Sequence, residues 1–300
     1  MKNLAQLREC WSLKTGLKLA AAGLGLAFPT WYYSHYIEPL WLDVTRPTIQ
    51  VSELEGLNPA WKGFRVAFIS DLHLGRRAKP HLILYKTIER IVQEKPDLVA
   101  LGGDMFNYGK WNPHMIELMQ PLIEAGIPVV GIMGNHDYFG RRDDWKRILE
   151  GMQQAGVEML VDNVCQVNYN GQTGWIAGID DMVKGEPDIK ALRERFPKGE
   201  RPLLLLNHNP DFIRDFPPHF AHVILSGHNH GGQINPALPP FQRRFNWVQY
   251  ARFGSGHFSA FPMGWYSYKQ NRLYVTRGVG MSGFKMRFNA RPELTILEFV

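Results

Sequence analysis

The sequence predicts an α/β fold whose strands deliver polar residues at their carboxyl ends, and three observations carry this. Between residues 64 and 155 an apolar run, a polar cluster of Asp, Gly, His and Asn, and an amphipathic segment follow one another repeatedly, as they do where strands carry helices. The second half is richer in strand-like runs and has a hairpin signal at Asn170 and Gly171. Three hundred residues with 45% apolar content give a sizeable core in one large domain or two small ones.

In chain order, residues 39–59 read as a connecting stretch with a lead-in strand centred on IQV. FRVAFIS (64–70) is a buried strand running into DLHLG, and residues 82–93 have the spacing of an amphipathic helix. DLVALGG leads into Asp104, with a helix over 113–125; IPVVGIM leads into GNHD, with a helix near 143–155. CQVNYNGQTGWIAGI reads as two strands paired across Asn170 and Gly171. PLLLLNHNP and HVILSGHNH are apolar strands ending in histidine, and LYVTRG and LTILEF are closing strands. Residues 239–268 hold many aromatics without sustained periodicity and read as a long loop, either packed on the core or forming an apolar wall toward acyl chains. There is no internal repeat.

Residues 1–45 are read as a basic leader and membrane anchor, and residues 46–300 as one folded domain. Lys2, Arg8, Lys14 and Lys18 against Glu9 give the leader +3 of the formal +6, so the body is only mildly basic, which suits an anionic substrate without requiring nucleic acid. Residues 19–37 contain no Asp, Glu, Lys or Arg, and Trp31, Tyr32, Tyr33, Tyr36 and Trp41 gather at their far end. As a helix at about 1.5 Å per residue this stretch just reaches across a hydrocarbon core of roughly 30 Å. Three readings stand open: an uncleaved anchor, a cleaved signal, and an interfacial or re-entrant helix. The absence of a small-x-small cleavage site favours the anchor in a bacterial-type cell membrane. The side of the membrane stays open, because the positive-inside rule puts the domain outside and a half-inserted helix leaves it inside. Cys10 and Cys165 have no redox or zinc spacing and read as plain thiols.

The strand ends supply Asp71 and His73, then Asp104, then Asn135, His136 and Asp137, then His208, then His228 and His230. One such end is an ordinary turn or cap. Five in succession collect carboxylates, an amide and imidazoles, the mixed oxygen and nitrogen set that suits Mn, Fe, Zn or Ni. In extended backbone residues i and i+2 share a face, so Asp71 with His73, and His228 with His230, are expected to point into one cavity. A carboxylate such as Asp104 can bridge two ions, and ions about 3.5–4 Å apart lower the pKa of a water between them and clamp a phosphoryl group. The neighbouring glycines are expected to give room for ions and phosphate.

The ordered set DLH, GGD, GNHD, the His of NHNPD, and GHNH resembles the five motifs of the calcineurin-like metallophosphoesterases, over about residues 64–300. GHNHGGQ with LYVTRGVG and RFNARPELTIL is similar to the membrane-associated subgroup that includes YkuE- and YaeI-type phosphodiesterases and a chlamydial-type UDP-2,3-diacylglucosamine pyrophosphatase. The resemblance implies a metallo-dependent phosphatase fold, two packed β-sheets flanked by helices in four layers. It implies two divalent transition-metal ions, Mn first and Fe, Zn or Ni as alternatives. Asp71, His73, Asp104 and His230 would hold one ion, and Asp104, Asn135, His208 and His228 the other. His136 would touch the phosphate or protonate the leaving oxygen, with Asp137 orienting it. Asn107 and Asn229 stand where the family more often has Asp and Thr.

Arg76 and Arg77 after DLHLG, and Arg141 and Arg142 after GNHDYFG, are candidates to grip a second phosphate; the alternative is a solvated basic rim. Arg277 and Arg287 are open between that role and a structural one. The leading expectation is a membrane-associated hydrolase of a phosphodiester or diphosphate, with UDP-2,3-diacylglucosamine hydrolysis in lipid A synthesis as the specific candidate. Against it stand an envelope phosphodiesterase or phosphatase of broad specificity, a nuclease, and a non-catalytic scaffold. No nucleic acid and no obligate protein partner is expected.

Overall fold

The structure, a computed structural model, describes residues 25, 27–75, 81–235 and 259–300. The chain enters the first sheet with β1 (Asp43–Thr45), β2 (Thr48–Ile49), β3 (Arg65–Ile69), β4 (Leu98–Leu101), β5 (Val129–Gly131) and β6 (Glu158–Met159). It then builds the second from β7 (Asn163–Tyr169), β8 (Gln172–Gly178), β9 (Leu204–Leu206), β10 (Val223–Ser226), β11 (Gly264–Tyr268) and β12 (Asn271–Val275), and returns to the first with β13 (Glu293–Phe299). The first sheet runs β1-β13-β3-β4-β5-β6, with β2 also on β13, and the second runs β11-β12-β10-β9-β8-β7. β3, β4 and β5 are mutually parallel, as are β8, β9, β10 and β12. Their carboxyl ends therefore gather at one end of each sheet.

The period of two along each strand dictates the layers. Val66 and Phe68 of β3 pack into the apolar layer between the sheets, with Leu204 and Leu206 of β9 and Val223 and Leu225 of β10. The alternate residues Ala67 and Ile69 pack instead on the helices α1 (Leu82–Glu94), α2 (His114–Glu124) and α3 (Asp144–Gln154), through Ile88, Leu118 and Ile148. On the far side Leu205 and Ile224 meet α4 (Ile189–Glu194) and a phenylalanine cluster, Phe212, Phe216 and Phe220. The result is helices, sheet, sheet and helices, the predicted four layers.

Two expectations change. IQV is not a strand: β2 stops at Ile49 and Val51–Glu53 turns as a 3-10 helix. The far end of the aromatic stretch is not loop, because β11 pairs with β12 in a hairpin closed by Lys269 and Gln270, both at positive φ. An irregular aromatic pattern hid a strand whose partner lies two residues downstream. The rest of that stretch, 239–258, lies outside the described residues. Packing also starts before residue 46: β1 pairs with β13, and the buried Glu38 carboxylate accepts from the Asn289 and Ala290 N–H groups at 2.8 and 2.6 Å. Finally, no helix among the described residues is long and apolar enough to cross a membrane; most of the basic half of the leader lies outside them.

Candidate metal centre

Each strand end turns sharply as its strand finishes. Asp71, His73, Asp104, His228 and His230 have φ of 58°, 49°, 53°, 70° and 52°, so the shared face of Asp71 with His73, and of His228 with His230, does not come from extended backbone. These are left-handed residues, a conformation Asp and His tolerate better than most and that costs of order 1–3 kcal/mol each. The glycines also act differently from the expectation: they make room for the ligand loops themselves. A Cβ on Gly134 would strike the Asp104 amide and carboxylate, and one on Gly227 would strike Ser70 and Asp71.

The side chains so delivered converge. Asp71, His73 and His230 present ligand atoms within 4.8 Å of one another, as do Asp104, His208 and His228. His73 Nε2 lies 3.0 Å from His230 Nε2, and His230 Nε2 lies 3.3 Å from Asp71 Oδ1. Asp104 faces both groups: Oδ2 is 3.6 Å from His73 Nε2 and Oδ1 is 3.4 Å from His208 Nε2. His228 Nδ1 sits 3.3 Å from His208 Nε2 and 3.0 Å from Asn135 Oδ1. The second groups of atoms on these rings are fixed unevenly. His208 Nδ1 donates to the Gly102 carbonyl at 2.7 Å, which turns Nε2 inward, whereas the buried Nδ1 atoms of His73 and His230 have no hydrogen-bond partner among the described residues.

Burial governs the electrostatics. It pushes His73 and His228 down to about 3, keeping both imidazoles neutral and able to donate lone pairs. It also pushes Asp71 up to about 6. Burial works downward on His208 as well, but the adjacent Asp104 carboxylate raises it to about 10. The same Asp104 lies well below the usual carboxylate range: burial opposes this, and His208 prevails. Lone pairs of opposed imidazoles and carboxylates, buried and facing one another, are what a divalent cation neutralises, and the mixed donor set fits a transition metal. The residues present fit two such ions, with Asp104 placed to serve both.

His136 is brought to this cluster. Its N–H donates to Asp104 Oδ1 at 2.8 Å, and its ring atoms fall within ligand distance of His73 and Asp104. Its Nδ1 lies 3.2 Å from the Asn107 carbonyl and its Nε2 3.5 Å from Ser282 Oγ. The Asp137 carboxylate accepts from the backbone N–H groups of Gly134, Phe106 and Met105, tying the Asn135–Tyr138 turn to the Asp104 loop, while the Asn107 carbonyl faces the His136 ring. Asn107 also donates to the His73 carbonyl at 2.8 Å, and Asn229 donates to Ser259 Oγ and the Phe261 carbonyl. Both unusual asparagines thus hold ligand loops.

Of the candidate phosphate grips, Arg141 and Arg142 are exposed in the turn before α3, and Arg76 and Arg77 lie outside the described residues. Arg277 is structural, paired with Glu293 at 3.0 Å and Asp43 at 2.7 Å. Arg287 is fully buried and donates to the carbonyls of Arg277, Gly278, Gly280 and Ala290. Gln233 was passed over in the sequence: it ends SGHNHGGQ, is fully buried, and its amide bonds Ser282 and Phe284. Its place directly after the glycine pair was the available signal.

A model of the calcineurin-like phosphoesterase family matches residues 64–232. Among curated proteins the chain is 30% identical to "Phosphodiesterase YaeI" of Escherichia coli (strain K12), over 89% of this chain and 92% of that protein. It is 29% identical to "Uncharacterized metallophosphoesterase YkuE" of Bacillus subtilis (strain 168), over 95% and 92%. It is 26% identical to "UDP-2,3-diacylglucosamine pyrophosphatase LpxG" of Chlamydia trachomatis serovar D, over 89% and 92%.

Proposed function

The chain belongs to the calcineurin-like phosphoesterase family and is a metal-dependent phosphoester hydrolase, and from that premise we propose that it works at a membrane surface on a lipid-linked phosphodiester or diphosphate, of the UDP-2,3-diacylglucosamine class. One observation carries the membrane part. The leader is hydrogen-bonded to the loop that reaches the metal centre: Arg287 N–H donates to the Ser34 carbonyl, and Glu38 accepts from Asn289 and Ala290. The same loop brings Ser282 to His136. Phe28, Trp31, Tyr32, Tyr36, Ile37 and Trp41 are large, exposed and within this one segment, and four basic residues precede them, a combination that suits a lipid interface.

The docking favours lying in the interface over spanning it. With Ser34 and Glu38 buried against the domain, the uncharged sequence of residues 19–32 would as a helix extend only about 21 Å, short of the roughly 30 Å core. A shared loop supports a reacting centre that works beside the lipid, and the similarity to a UDP-2,3-diacylglucosamine pyrophosphatase supports the substrate class.

In this reading Asp71, His73, Asp104 and His230 hold one ion and Asp104, Asn135, His208 and His228 the other, with Mn preferred. When bound, the ions supply Lewis-acid activation of water and of the phosphoryl oxygens. The neutral imidazoles keep their lone pairs available, Asp104 fixes the spacing of the two half-sites, and His136 delivers a proton to the departing oxygen. Purified full-length protein with Mn²⁺ and vesicles, given UDP-2,3-diacylglucosamine, an aryl phosphodiester and an aryl phosphomonoester side by side, tests this. Preferential turnover of the lipid, lost when residues 1–32 are removed, is expected. Brisk turnover of the aryl diester with none of the lipid would leave a broad envelope phosphodiesterase, the reading favoured by the similarity to YaeI.

A further inference from the structure

The apolar run TGWIAGI ends, like the five candidate ligand-bearing strands, in polar residues, here Asp180 and Asp181. β8 lies beside β9 in parallel register, Gly178 opposite Leu206, and Ile179 N–H extends the ladder to the Leu206 carbonyl at 3.1 Å. The residues that follow β8 therefore run alongside Asn207 and His208. The two carboxylates then part ways. Asp180 is fully engaged, accepting from Tyr138 OH at 2.5 Å and from the Asp181 and Glu186 N–H groups.

Asp181 is 1% exposed. Its Oδ1 accepts from Val183 and Lys184 N–H groups at 2.9 and 2.8 Å, while its Oδ2 is buried with no hydrogen-bond partner among the described residues. A residue needed only to shape its turn has no use for a second buried oxygen, and a buried unsatisfied charged group costs more than the roughly 1–3 kcal/mol of a neutral one. Asp181 lies two residues past the ladder that joins Ile179 to Leu206, and His208 lies two residues past Leu206 on the neighbouring strand. Yet Asp181 is outside every group of ligand atoms that lie within 4.8 Å of one another.

We propose that Asp181 is a further member of the metal centre, a positioning residue whose free Oδ2 supports the cation at the His208 end from outside direct ligand distance, through a donor held between them. This rests on the reading that the centre holds two cations. It assigns a function to a sixth strand end, and it explains an orphaned oxygen that turn geometry leaves unexplained. Outer partners of this kind contribute about 10–100-fold to metal affinity.

The test is Mn²⁺ titration calorimetry on the full-length chain, wild type against Asp181→Asn and Asp181→Ala, with melting curves in chelator. Asp181→Asn keeps an oxygen for Val183 and Lys184, so the turn survives. The expected result is one of two binding events weakened about tenfold or more in both variants, while melting of Asp181→Asn in chelator is unchanged or higher. Two unaltered events in Asp181→Asn would overturn the inference alone. So would lower melting in chelator with both events reduced together, since that is a structural role. A wild-type chain that takes up no Mn²⁺ would overturn the two-cation reading and this inference with it.

Discussion

Two clusters of buried carboxylates lie in this molecule and are satisfied in opposite ways. Glu293, at the start of β13, is surrounded by groups of the chain itself: Thr45, Tyr274 and Thr276 hydroxyls and the Arg277 N–H and guanidinium all donate to it. At the other cluster Asp71, Asp104 and Asp181 also accept from backbone N–H groups, but Asp71 and Asp104 face imidazole nitrogens as well, and Asp181 keeps one oxygen without a partner among the described residues. The first is a finished structural joint between the sheets' strands; the second is completed by what it binds. Burial alone does not mark a functional group, whereas burial with ligand atoms left facing one another does.

The largest expected break in this contrast is Asp104→Ala. It should remove both ions by metal analysis and lower turnover by about 10³-fold or more, while melting in chelator holds or rises because a buried charge is gone. His136→Ala comes next: turnover should fall about 10²–10⁴-fold with two ions retained, and lost metal would make His136 a ligand instead. Glu293→Gln should do the reverse of Asp104→Ala, costing about 3–5 kcal/mol in denaturant unfolding with cation affinity unchanged.

The pH dependence of that last cost has a fixed sign. Burial pushes Glu293 up, but Arg277, Thr45 and Tyr274 outweigh it and the carboxyl is held below its ordinary value. Its stabilisation is therefore present above the unfolded carboxylate range and lost as pH falls through the lower folded value. The gap between wild type and Glu293→Gln should shrink on acidification below about pH 4.5; a constant gap would mean that the charge is not what matters. The smallest effect concerns Cys165, remote in role from both clusters. Burial raises its thiol to about 12, so alkylation at pH 8 should be slow when folded and rapid in denaturant.

The layers were legible in the sequence because strand and helix periods are local properties: the 64–70 run, the Asn170–Gly171 hairpin and the 82–93 helix all stand where the spacing put them. The ligand set was legible for the same reason, its members lying within a few residues past an apolar run. What escaped depends on contacts distant in sequence. β11 needed its hairpin partner to be seen, Glu38 docks on residues some 250 positions away, and Asp137 binds backbone N–H groups of the Asp104 loop. Left-handed backbone at Asp71 and His73 is invisible in a motif that reads equally well as extended strand. Asp181 follows the same apolar-run rule as the other ligands but carries no histidine beside it, so only its unpartnered oxygen sets it apart.

The central claim is that one carboxylate is shared by two cations. Crystals grown with Mn²⁺ and measured at the manganese absorption edge test it directly. Two anomalous peaks about 3.5–4 Å apart, one among Asp71, His73 and His230 and one among Asn135, His208 and His228, with Asp104 touching both, are the predicted result. A single peak, or two peaks that Asp104 does not join, would contradict it.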